Sequence, residues 1–145
     1  MRKLLFLILF ILFIISSACR REKPIEYTFQ FEKQTWSRFS NVIITIPLKE
    51  SNKTYDIIFF ARITHDYSHE SLNFNMIMTT PSGEERIMEY QIKKIILGEE
   101  NQITLKKDLF ISKNGNLIFE LENLMPQLHL RGISMIGVRL IHAGK

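Results

Sequence analysis

From Ile25 to the C-terminus, apolar and polar residues alternate with a period of two, the spacing of half-buried β-strands. Tyr27, Phe29 and Phe31 alternate with Thr28 and Gln30. After a polar break carrying Trp36, Val42, Ile44, Ile46 and Leu48 share one face of a β-branched run, and Pro47 predicts a sheet edge or a strand end there. Glu50-Ser51-Asn52-Lys53 has turn composition. Tyr55, Ile57, Phe59, Ala61 and Ile63 then mark the longest strand candidate. Its opposite face also carries Ile58 and Phe60, beside Arg62 and Thr64, so a central strand is expected.

The pattern continues through Leu72, Phe74, Met76 and Met78 to Thr80-Pro81-Ser82-Gly83, where proline presets one turn corner and glycine tolerates a positive φ. Arg86 to Ile92 reads as the antiparallel return, with Met88, Tyr90 and Ile92 inward. Lys93 to Gln102 reads as a loop and Ile103 to Phe110 as a weak strand. Lys113-Asn114-Gly115-Asn116 turns the chain into Leu117, Phe119 and Leu121, opposite Ile118, Glu120 and Glu122. Asn123 to Leu130 reads as a loop or a single helical turn. Ile136, Val138 and Leu140 form a last strand, in which Gly137 marks the close approach of another backbone or ring. Seven or eight strands separated by turns, with no amphipathic helix, predict an all-β antiparallel β-sandwich, jelly-roll or immunoglobulin-like.

The first 24 residues have a different character. Arg2 and Lys3 precede an unbroken apolar run, Leu4 to Ile15, and then Ser16-Ser17-Ala18-Cys19. This order is that of a secretory signal peptide. The run is twelve residues, against the roughly 20 a membrane-spanning helix needs. A cysteine directly after the small residues resembles the lipobox of bacterial lipoproteins, in which cleavage falls before the cysteine and its thiol is acylated. The expected organisation is a cleaved signal peptide at 1–18, a lipidated Cys19 with a charged tether at 19–24, and a single β-sandwich domain at 25–145. Two or more acyl chains hold a protein firmly at a bilayer, whereas one does so only marginally.

Composition excludes several functions. Of 19 basic and 15 acidic residues, Arg2 and Lys3 belong to the signal, which leaves 17 against 15. That mild surplus does not predict nucleic-acid binding. Cys19 is the sole cysteine, so once it is acylated neither a disulfide nor a thiolate metal site is expected. His65 and His69, with Asp66 and Glu70, fall in a loop and lack a third ligand at recognisable spacing, so no metal is expected. No serine stands in a Gly-x-Ser-x-Gly elbow, and no phosphate-binding glycine loop is present. Glu120 and Glu122 share a strand face opposite apolar residues, which marks a solvated face rather than a catalytic pair. The expectation is a non-enzyme without cofactors. Trp36, Arg62, His65, Asp66, Tyr67 and Arg139 are the candidate binding surface. Trp36 either stacks a ligand or plugs one end of the sandwich. The two arginines interrupt apolar strands, where charges are exposed or paired.

Several separated pieces together resemble one family, the gliding-motility-associated lipoproteins of the GldH type. They are Trp36, Arg62-Ile63-Thr64-His65-Asp66-Tyr67 with Leu72 and Asn73, and Thr80-Pro81-Ser82-Gly83. Gly115-Asn116-Leu117-Ile118-Phe119-Glu120, Met125, Leu130-Arg131-Gly132-Ile133 and Ile136-Gly137-Val138-Arg139 complete the set. The resemblance implies a small membrane-tethered accessory protein of gliding machinery linked to secretion, with no catalytic residue or cofactor. Its partners would be the membrane, through the lipid on Cys19, and other envelope proteins, with no nucleic acid. It would sit in the cell membrane or outer membrane, facing the periplasm or the surface. The alternative is a lipid-anchored binding module for surface glycan or peptide.

Overall fold

The computed structural model describes residues 22–144; the predicted signal peptide and Cys19 lie outside them. Ten strands follow in order: β1 (Ile25–Gln30), β2 (Thr35–Ser37), β3 (Val42–Leu48), β4 (Lys53–Ile63), β5 (Ser71–Thr79), β6 (Glu85–Lys93), β7 (Glu100–Ile111), β8 (Gly115–Asn123), β9 (His129–Arg131) and β10 (Ile133–His142). Only a three-residue 3-10 turn, Glu32–Gln34, is helical among the described residues.

The pairing is nested. β5 pairs with β6, β4 with β7, β3 with β8, β2 with β9 and β1 with β10, every pair antiparallel. The chain is thus one long hairpin whose tip is the Thr80–Glu84 turn. Wrapping it on itself adds the β4–β10 and β5–β8 pairs. Two four-stranded sheets result, β1-β10-β4-β7 and β3-β8-β5-β6, with the β2–β9 ribbon beside them. This winding is a jelly roll, which decides between the two sandwiches the sequence allows.

At the tip the predicted turn chemistry is present. Gly83 has φ +86° and donates to the Thr80 carbonyl at 2.9 Å. The Glu84 amide donates to Thr80 Oγ1 at 3.1 Å.

The alternating faces meet between the sheets. In β3 Val42, Ile44, Ile46 and Leu48 are buried while Ile43, Thr45 and Pro47 are exposed, and Pro47 lies on a sheet edge where its missing N–H costs no pairing. Phe59 from one sheet meets Phe74 from the other at 4.2 Å between ring centroids. Each such buried side chain contributes roughly 1.5–3 kcal/mol relative to exposure. Along one side, the Tyr90 hydroxyl on β6 donates to the Leu105 carbonyl on β7 at 2.9 Å and joins the two layers. On the opposite side β1 lies over β3, and Tyr27 and Phe29 stay about two-fifths exposed.

Three expectations are corrected. The longest strand is β7, twelve residues from Glu100, so the predicted loop is shorter and the weak strand longer. Register irregularities between Tyr55 and Ile58 break its alternation against β4, which is why it reads poorly. The polar break around Trp36 holds a strand, β2, and its partner β9 emerges from the stretch read as loop or helical turn.

All connections fall at two ends. The near end, where the chain enters β1, carries residues 49–52, 80–84 and 112–114 and the C-terminal 143–144. The far end carries the β2–β9 ribbon and residues 64–70 and 94–99.

Candidate functional site

The sequence candidates converge on the far end, apart from Arg139. β4 ends at Ile63, and the next amide, of Thr64, donates to the Gly132 carbonyl at 2.8 Å. Tyr67 then folds back, its amide on the Thr64 carbonyl at 3.2 Å and its hydroxyl donating to Ser71 at 2.8 Å. Gly132 makes this possible: φ is +86°, and a Cβ there would lie 2.3 Å from the Tyr67 nitrogen. The Tyr67 ring is only 3% exposed, and burial pushes its phenol above the ordinary value of 10.0. It is therefore a packing residue rather than an exposed contact. His65 and Asp66 stay exposed on the same loop, while His69 packs edge-on against Tyr67 at 5.4 Å. Among the described residues no three His, Cys, Asp or Glu side chains are grouped to hold a metal.

Trp36 is fully buried. Its Nε1 donates to the Ser40 carbonyl at 3.1 Å, its ring stacks on Phe31 at 5.4 Å, and its carbonyl accepts from Asn123 Nδ2 at 3.1 Å. A ring without an exposed face cannot stack a sugar, so the end-plug reading replaces the platform. Asn123, which the sequence reading passed over, is also fully buried and accepts from the Met125 amide at 2.8 Å. Asn101 does the same for the loop before β7, accepting from the Ile96 amide at 2.7 Å and donating to its carbonyl at 2.9 Å. Both asparagines occupy inward positions of strand patterns, which is the signal that could have found them.

The two arginines share the outer face of one sheet but differ in state. Arg62 is exposed at the far end of β4. Arg139 on β10 is half-buried and bound from both sides, by Glu26 on β1 at 2.7 Å and Glu100 on β7 at 3.1 Å. Its guanidinium carbon lies 4.6 Å from the centroid of Phe60. That ring in turn covers Gly137, where a Cβ would come within 2.3 Å of Phe60 Cζ. Arg139 is thus neutralised within the sheet and contributes a lock rather than a free charge.

A model of the GldH lipoproteins matches residues 25–140, nearly all of the described chain. The chain belongs to the GldH lipoprotein family. It is accordingly a gliding-motility-associated lipoprotein with a membrane-associated place in the cell envelope. The family is not a known enzyme family. No curated protein matches the chain.

Among solved structures, AlgX from Pseudomonas aeruginosa is 14% identical, at a TM-score of 0.44 over 90% of this chain and 29% of that one. Latent PorU from Porphyromonas gingivalis is 7% identical, at 0.41 over 86% and 13%. The VP2 subviral particle of infectious bursal disease virus is 14% identical, at 0.38 over 86% and 34%. The GldH-family chain thus spans about a third or less of the length of each.

Proposed function

We propose that the protein is a lipid-anchored, non-catalytic accessory component of a gliding- and secretion-associated envelope assembly, acylated on Cys19. The observation that carries this reading is the family match over residues 25–140, directly following a signal segment whose cysteine stands at the lipobox position. Five residues, 20–24, separate Cys19 from the first strand residue, Ile25. Extended, residues 20–24 reach at most about 17 Å, so the near end of the sandwich faces the bilayer at short range. Two tests apply. Cys19→Ala is expected to move a folded chain from the membrane to the soluble fraction, and retention in the membrane would refute the anchor. Deletion in the native cell is expected to impair colony spreading or secreted-protein export, and normal behaviour in both would end the assembly reading. The alternative, a binding module for surface glycan or peptide, draws on Trp36 and on the loop from His65 to Ser71, and it loses the stacking platform with the burial of the Trp36 ring.

A further inference from the structure

Among the described residues, the two ends of the sandwich differ in what their connections expose. Four large apolar side chains lie exposed on connections rather than strands: Phe39 at 82%, Ile96 at 56%, Leu128 at 52% and Leu97 at 40%. All four are at the far end. The near-end connections are Lys49-Glu50-Ser51-Asn52, Thr80-Pro81-Ser82-Gly83-Glu84 and Ser112-Lys113-Asn114, with no large apolar residue. Phe39 and Leu128 both lie at the tip of the β2–β9 ribbon, where the ladder continues one step further through the Arg38 amide, which donates to the Leu128 carbonyl at 2.9 Å. The ribbon's inner face, Trp36 and Leu130, is buried. Its tip presents the two apolar side chains to solvent.

Charge narrows what covers them. Residues 33–49 and 123–144 contain no Asp or Glu. The ribbon and its approach carry Lys33, Arg38 and Arg131, none of which forms an ion pair among the described residues, together with His129, whose Nδ1 is 3.1 Å from Ser37 Oγ. Of the acids at its base, Glu120 accepts from Asn41 at 2.7 Å, and Glu32 precedes Lys33. A second copy of this chain docking through the same ribbon would set cations against cations. A bilayer is excluded by position if Cys19 is the anchor, since strands of nine to twelve residues put the ribbon roughly 30 Å beyond the near end.

We infer that the tip of the β2–β9 ribbon is the docking surface for an envelope protein that seats Phe39 and Leu128 in an apolar recess rimmed by carboxylates. Apolar anchors surrounded by complementary charge are how such interfaces combine affinity with steering. Only the orientation rests on the proposed lipid anchor.

The experiment places a photo-crosslinking benzoylphenylalanine in the full-length chain in its native cells, at Phe39 and, as control, at Phe110, which is 58% exposed toward the near end. The expected result is a protein adduct from position 39 and not from 110, with a net acidic contact peptide by mass spectrometry. Arg38→Glu with Arg131→Glu should reduce it at least tenfold, whereas Arg38→Lys with Arg131→Lys should preserve it. Thermal melts of all variants check that the fold is kept. No adduct at 39, a self-adduct, a polysaccharide adduct, equal labelling at 110 or insensitivity to charge reversal overturns the inference. Fractionation reports on the anchor separately. A membrane-bound chain without the adduct defeats docking alone, and a released chain that still crosslinks defeats the anchor alone.

Discussion

Gly137 shows how one missing side chain organises a sheet face. Phe60 is directly opposite it across β4 and β10, and its ring fills the space a Cβ would occupy. Arg139 closes over the ring, held by two carboxylates. Gly137→Ala should therefore lower stability by about 2–3 kcal/mol through overpacking, measured by urea denaturation. Adding Phe60→Leu should recover part of that loss, and strict additivity of the two changes would contradict the contact. Asn123→Ala removes the partners of the Trp36 carbonyl and the Met125 amide at a fully buried site, which should cost about 1–3 kcal/mol in the same assay. The special role of Gly137 was legible because glycine inside an apolar strand has few explanations. The state of Arg139 was not, since its partners Glu26 and Glu100 lie 113 and 39 residues away in sequence.

At the scale of elements, the 64–70 loop is built from the inside out. Tyr67 is its buried anchor, and Gly132 is the floor on which it rests. Burial favours the neutral phenol, so the stability this group contributes is complete below its unfolded value of about 10 and is lost as pH rises through the higher folded value. Tyr55 and Tyr90 are raised in the same direction, again first by burial. The melting temperature should therefore fall above about pH 10, and Tyr67→Phe should flatten part of that decline in a pH series of thermal melts. The same variant should cost about 1 kcal/mol at neutral pH through the lost bond to Ser71. Strands β3, β5 and β8 were legible because strict alternation meets a single buried face. β2 and β9 were not, because three residues carry too little periodicity, and each is a strand only by virtue of the other. The same lack hid Phe39 and Leu128, two apolar residues outside any alternation.

For the whole molecule, the governing fact is that pairing partners grow more distant from the tip outward, from the β5–β6 turn to Ile25 against Leu140. Each outer pair closes a larger loop before its contacts form. Refolding followed by stopped-flow fluorescence of Trp36 should accordingly take milliseconds to seconds, and a microsecond phase carrying the full amplitude would contradict this. The sandwich class was legible from strand count and turn spacing, but the winding was not, because alternation fixes faces and says nothing of which strand lies beside which. The outermost pair also has a mechanical meaning. A chain held at its N-terminus by lipid and gripped at the far end is pulled along the axis of β1. The β1–β10 hydrogen bonds run across that axis, so the load is shared by the whole six-residue ladder in shear rather than opening it one bond at a time. In a machine that transmits force, a fold that enters through such a strand resists being unravelled from its own anchor.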